Sequence, residues 1–294
     1  METYQRKMNH NRDEYRKLRW KQHRIQVTGL FDAVFSKKAL VDKVAIVGAG
    51  NCDDLDIEYL ATRCNSIYLF DIDMESMEKG TANLPERTRE KIQLIEIDVT
   101  GLDKVDFDHN LSSMLNRGET AKGIIQYLKD TEKRLGQLSE RVFANYYNDF
   151  DIVATSAIYT QLFYNWAKEL LSDHANHYQK KDAEEMKNGI LDVRDEIVRT
   201  VNHSISKCTK QNGFCITWTD ILKIEPEYMD PINEGLNAIF ALASNVGYGA
   251  ALIGVKTFIE KVDKSELTLR YWPWDFQENK QYLTIGIIGR NNGV

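Results

Sequence analysis

The sequence predicts an α/β fold, a doubly wound and mostly parallel sheet of about seven strands ending in an antiparallel hairpin. Three observations carry that expectation. Short apolar, β-branched runs alternate with longer stretches of helical spacing. The first three runs each stop at a glycine turn or an acid. The last two runs are joined by a short connection with no helix, so they should pair antiparallel.

The elements follow in order. Residues 4–35 read as helix: Tyr15, Leu18, Gln22 and Ile25 step by three or four, and Val27, Leu30, Phe31, Val34 and Phe35 widen the apolar side. This reads as an N-terminal helical extension over 1–35, with the main domain at 36–294. Lys43–Val47 is a buried strand stopped by Gly48-Ala49-Gly50. Acids Asp53, Asp54 and Asp56 then open a helix, where they suit its dipole. Strands follow at 66–70 and 91–97, with a short helix around 74–82 between them. Residues 110–147 read as helical, and the fourth strand is 150–154. Residues 183–209 carry the clearest helical period, and the fifth strand is 213–218. A last helix spans 235–261, weakened by Gly247, Gly249 and Gly254. Strands at 266–272 and 282–288 close the chain. The helical stretches within 110–147 and 157–210 exceed what the sheet needs and are candidate lids or insertions.

Composition excludes several classes. A chain of 294 residues with four prolines is long enough for one large core and shows no rigid linker. No apolar run reaches the roughly 18 residues of a membrane span. The opening residues are polar and charged, unlike a secretory leader. The four cysteines form no CxxC pair and no zinc-like grouping with histidine, so no metal is expected. His174 and His177 lack a third ligand in sequence. Reduced thiols fit a cytoplasmic protein. The net charge is −6, but residues 1–24 hold eight Lys/Arg against three acids, so the remainder carries −11. An acidic body argues against a broad nucleic-acid surface.

In an open α/β sheet, ligands bind beyond the carboxyl ends of the strands. The first strand offers Gly48, Ala49 and Gly50, whose missing Cβ atoms let a ligand approach the backbone. The second offers Asp71 and Asp73, with Asp71 standing 21 residues after Gly50, as a nucleoside-binding βαβ unit requires. A carboxylate there can accept both hydroxyls of a ribose. The third offers Asp98 for an adenine amino group and Val99 for its ring. The fourth offers Thr155 and Ser156, and the fifth Thr219-Asp220.

The stretch from Val44 to Leu102 resembles the class I S-adenosylmethionine-dependent methyltransferases. Val44-Ala-Ile-Val-Gly48-Ala-Gly50 with Asp54-Leu55 is similar to their glycine-rich first motif. Asp71 stands where the family places its ribose-binding acid, and Asp98-Val99 resemble its adenine contacts. Residues 151–158 resemble the fourth strand and its loop, and 266–289 the closing hairpin. The resemblance implies a Rossmann-like methyltransferase fold with S-adenosylmethionine as cofactor. Its implied cofactor contacts are Gly48, Ala49, Gly50, Asp54, Asp71, Ile72, Asp98, Val99, Thr155 and Ser156. The implied activity is methyl transfer to a small molecule or peptide, with no catalytic base identified. Tyr159, Trp272 and Trp274 are candidate substrate contacts.

Two positions depart from the family. Ile46 stands where the family often has an acid two residues before the first glycine, leaving Asp53 or Asp54 to substitute. Thr155-Ser156-Ala157-Ile158 replaces the Asn/Asp-Pro-Pro-aromatic motif of enzymes that methylate adenine or glutamine nitrogen. The rivals are an NAD(P)-dependent oxidoreductase and a methyltransferase-like binding module without catalysis. The oxidoreductase fingerprint wants a third glycine where Asp53 stands. The tryptophans offer the last expectation: a sixth strand running parallel would bring Trp272 or Trp274 to the site's edge, against a simpler packing role.

Overall fold

A computed structural model of the chain describes Tyr4, Arg6, Lys7, Asn9 and residues 15–293; the expected helix over the other early positions lies outside the described residues. Seven strands form one sheet: β1 Lys43–Val47, β2 Ser66–Asp71, β3 Ile92–Glu96, β4 Phe150–Ser156, β5 Thr209–Lys223, β6 Thr268–Gln277 and β7 Lys280–Arg290. Their order is β3-β2-β1-β4-β5-β7-β6. Strands β1 to β5 pair in parallel, and β7 runs antiparallel between β5 and β6. β6 therefore points the same way as β5, and its carboxyl end reaches the same edge as Gly48, Asp71 and Asp98.

The helices are α1 Arg16–Arg19, α2 Lys21–Phe35, α3 Ile57–Arg63, α4 Met74–Thr81, α5 Glu86–Arg89, α6 Phe107–Asn116, α7 Ala121–Phe143, α8 Tyr164–His174, α9 Lys180–Cys208, α10 Met229–Glu234, α11 Leu236–Asn245 and α12 Gly249–Glu260. Both faces of the sheet are covered, which explains why its central strands read as nearly continuous apolar runs. Along β1, Val44 and Ile46 join the core under α2 and α3. Ala45 and Val47 join the opposite core, built with α7 and α9. A third cluster packs α11 and α12 onto the far half of β5 and β7.

The structure corrects four expectations. First, the buried face before Val27 is not the expected one. Tyr15, Leu18 and Ile25 are 66%, 71% and 50% exposed, whereas Arg16, Trp20, His23 and Val27 are buried. Those four also step by three or four, but two are polar, so hydropathy alone selects the wrong stripe. Second, the single helix expected up to residue 35 is interrupted at Trp20, between α1 and α2, while Val27, Leu30, Phe31, Val34 and Phe35 are buried against the sheet as their pattern implies. Third, residues 110–147 are not one continuous helix. The stretch 110–147 breaks at Gly118, whose φ of 69° ends α6 before α7 begins. α7 and α9 then bury Leu128, Leu135, Ile197 and Val201 in the core under the sheet. Fourth, 235–261 is two helices, separated where Gly247 adopts φ 100°.

At the opposite edge from the glycine turn, Asp151 fastens β4 to β1. Its carboxylate accepts from the backbone N–H of Asp42 at 3.0 Å and of Lys43 at 3.1 Å. Lys38 and Lys210 lie at 3.0 and 3.1 Å. Burial disfavours the charged form, but these ammonium and amide donors outweigh it and hold the carboxyl down at about 2.

Two predictions follow from this packing. Leu30→Ala should cost about 2–5 kcal/mol in urea unfolding, as for a buried leucine, whereas Leu18→Ala should stay within about 0.5 kcal/mol. Equal costs would refute the corrected helix face. Asp151 is ionised in the fold down to about 2 but protonates near 3.8 when unfolded, so its contribution is complete above pH 4. Stability should therefore drop as pH falls from 4 to 2, and Asp151→Asn should flatten that part of the profile.

Candidate functional site

β1 ends in a turn that only unusual backbone geometry permits. Gly48, Gly50 and Cys52 all have positive φ, at 82°, 48° and 56°. A Cβ on Gly48 would lie 2.1 Å from Ile158 Cγ2 and 3.1 Å from the Ser156 carbonyl. The turn is thus pressed against the loop after β4, and glycine is required for steric as well as conformational reasons. Phe70 O accepts from Gly48 N at 2.8 Å and from Ala49 N at 3.2 Å, which continues the β1–β2 ladder into the turn.

Asp71 closes this arrangement. Its Oδ2 accepts from Gly50 N at 2.8 Å, and its Oδ1 from Asp73 N at 3.0 Å. The Ile72 backbone N–H also favours the charged form of this carboxylate. Burial pushes the Asp71 carboxyl up to about 6, against the backbone donors that favour its charged form. The helix-capping role that competes for an acid here falls to Asp73, which accepts from Ser76 N and Oγ at 3.1 and 2.6 Å. Asp71 is thereby left to the cavity.

The cavity sits at the switch between β1 and β4, where the crossovers diverge. Gly48, Ala49, Gly50, Asp54, Asp71, Ile72, Asp98, Val99 and Ser156 all line it. Asp98 holds its own loop: Oδ1 accepts from Thr100 N and Oγ1, and Oδ2 from Asp103 N. Burial raises its pKa. Asp54 spans two strands. Its Oδ2 accepts from Ser156 Oγ at 2.6 Å and from Trp218 Nε1 at 2.9 Å, two residues paired in register on β4 and β5. Burial raises the Asp54 pKa too, against those two donors.

Three expected contacts do not reach the cavity. Thr155 alternates to the opposite face from Ser156 and is fully buried, with its hydroxyl 2.6 Å from Thr217 Oγ1. Tyr159 is buried against Gly254 and donates to Asn202 Oδ1 at 2.7 Å. Trp272 is buried one pleat below the site, where its indole N–H donates to His23 Nδ1 at 3.0 Å. Trp274, two residues further along β6, does line the cavity. His174 bonds the Leu170 carbonyl and Asn116, and no metal-binding group occurs among the described residues.

The sequence reading missed the wall contributed by Asn9, Arg16, Trp20 and Phe276, and by Gln161 and Leu162 after β4. Asn9 donates to Asp73 Oδ2 at 2.9 Å, and its carbonyl accepts from Asn51 Nδ2 at 3.1 Å. Arg16 lies 3.9 Å from Asp53 Oδ2. The available signal is the step Arg16-Trp20-His23-Val27, which hydropathy passes over because it mixes polar and apolar residues.

Strand order 3-2-1-4-5-7-6, with the seventh strand antiparallel and helices on both faces, is the doubly wound, mostly parallel sheet with a closing antiparallel hairpin that the sequence predicts. No family model matches the chain, and no curated protein matches it. Solved structures with a similar outline include the N-methyltransferase NodS of Bradyrhizobium japonicum WM9 in complex with S-adenosyl-L-homocysteine. It is 12% identical over 92% of this chain and 87% of that one, with a TM-score of 0.44. A predicted O-methyltransferase of Agrobacterium tumefaciens is 10% identical over 86% and 74% of the two chains, with a TM-score of 0.39. A spermidine synthase is 8% identical over 85% and 55%, with a TM-score of 0.37.

The turn yields a direct test. Gly48→Ala must displace Ile158 or the β1 turn and strain the backbone, so it should destabilise the protein by about 3 kcal/mol. A melting temperature equal to the wild type would show that the turn is not pinned against the β4 loop.

Proposed function

We propose that the chain binds S-adenosylmethionine in this cavity and transfers its methyl group to an acceptor bound alongside. The observation that carries the reading is Asp71. Its carboxylate lines the cavity with one oxygen held by the Gly50 N–H and the other by the Asp73 N–H, which presents a fixed pair of acceptor oxygens to a vicinal diol. Ile72 and Val99 supply apolar surface for a purine, and Asp98 stands beside them. Asp54 compensates for the acid missing at Ile46: it lies over the β4–β5 pair on the same sheet face, where it would hold the methionine ammonium.

Charge separates this cofactor from a dinucleotide. Asp53, Asp54, Asp71 and Asp98 line the cavity against Arg16, which lies beside Asp53. That balance favours a sulfonium and an ammonium over a pyrophosphate at the glycine turn. When bound, S-adenosylmethionine supplies a methyl carbon already activated by positive sulfur, so holding the acceptor in line provides much of the rate. The chain's own contribution is to orient the ribose, fix the turn and shape the space beside Ser156.

Calorimetry tests the reading. Wild-type protein should bind S-adenosylmethionine, and folded Asp71→Ala should bind it about 1–3 kcal/mol more weakly. Only the ionised carboxylate offers both oxygens as acceptors, so affinity should be constant above pH 7 and fall as pH drops through about 6. Unchanged affinity in the variant would remove the ribose role, and preferential binding of NAD would overturn the proposal.

A further inference from the structure

We infer that the methyl acceptor is an amine carrying a flat aromatic ring, with that ring packed against Trp20, Trp274 and Phe276, a substrate class that rests on the methyl-transfer reading above. These three residues line the same cavity as the glycine turn, on the side away from Asp98. They come from the α1–α2 junction and the carboxyl end of β6, so none belongs to the cofactor-cradling turns of β1 to β3. Their rings form one unit. Trp20 and Trp274 meet edge to face at 4.7 Å, and Trp274 and Phe276 at 5.1 Å. Trp20 is tied down by its indole N–H, which donates to the Phe276 carbonyl at 3.0 Å.

A second layer fixes that wall. His23 stacks on Trp274 with centroids 4.1 Å apart and planes 14° from parallel. An indole N–H only donates, so the bond from Trp272 makes His23 Nδ1 the acceptor and puts the imidazole proton on Nε2. Burial then keeps this ring neutral, pushing its pKa down to about 3. A neutral, aligned imidazole behind Trp274 gives a rigid apolar backing without a competing charge. Buried aromatic walls of this kind select planar groups by shape and by their electron-rich faces.

Charge selects the rest of the acceptor. With Asp53 beside Arg16, the carboxylates of Asp54, Asp71 and Asp98 still leave the cavity acidic. An acceptor carrying a carboxylate or phosphate would enter against that field, whereas an amine enters with it as an ammonium. To accept the methyl its nitrogen first gives a proton to water; the carbon–nitrogen bond then forms as the donor's carbon–sulfur bond breaks, and S-adenosylhomocysteine leaves.

Calorimetry on the full chain saturated with S-adenosylhomocysteine tests this with three probes. Tryptamine has ring and amine, indole-3-acetate has the ring with an anion, and butylamine has the amine without a ring. Tryptamine should bind, and the other two should bind at least about tenfold more weakly. Trp274→Ala should weaken tryptamine by about tenfold while leaving S-adenosylhomocysteine within about twofold. Phe276→Ala, at a half-buried position, should do the same and keeps the test readable if Trp274→Ala fails to fold. Equal binding of indole-3-acetate or butylamine, binding of none of the three, or tryptamine affinity unchanged in the folded variants would overturn the inference. Failure of the wild type to bind S-adenosylhomocysteine would instead overturn the methyl-transfer reading, and that result is read separately.

Discussion

The site depends on one close approach: the chain leaving β1 passes so near the loop after β4 that no side chain fits at Gly48. This contact occurs where the sheet's crossovers diverge, β1 leading outward to β2 and β3 while β4 and β5 extend the other way. Pinning the turn there aims Gly50 N at Asp71, and Asp71 in turn aligns the start of the segment that Asp73 caps. Backbone donors are spent on carboxylates that would otherwise be costly to bury. The result is a set of acids held in place before any ligand arrives, which lowers the ordering cost of binding.

The same economy explains Asp54. A lone buried carboxylate in the core would be expensive, yet this one receives a hydroxyl and an indole N–H from a register pair on adjacent strands. Strand register therefore determines where an ionisable group can stand. Slipping β4 against β5 by one residue would separate Ser156 from Trp218 and turn one of them to the other face. The sheet's pairing is in this sense part of the site.

Most of the sheet was legible because its signals are local. β-branched runs ending in glycine or aspartate marked β1 to β3, and the missing helix between the last runs marked the hairpin. The spacing from Gly50 to Asp71 brought both to the cavity for the same reason: one βαβ unit fixes it. Readings failed where a tertiary partner decided the outcome. β5 begins four residues before the expected start, at Thr209, and runs on to Lys223 because β7 offers it a ladder. Thr155 and Ser156 are adjacent and chemically alike, and only the pleat decides which one meets the cavity. Tyr159 was drawn away by Asn202, which is 43 residues distant in sequence.

The N-terminal helix shows why polar residues can mislead and inform at once. Hydropathy favours Tyr15, Leu18 and Ile25, yet those stay in solvent, and Arg16 and His23 go inside. Arg16 lies beside Asp53, and His23 Nδ1 accepts from the Trp272 indole while its Nε2 is buried with no hydrogen-bond partner among the described residues. Burying such groups costs stability, which sets this inner stripe apart from a generic apolar core. A purely structural α1 and α2 would be served by leucine at both positions. The inner stripe instead carries Arg16 and Trp20 to the cavity and His23 to the back of Trp274. The helical segment that covers one face of the sheet through Val27–Phe35 thus also completes the cavity wall through Arg16 and Trp20 at its start.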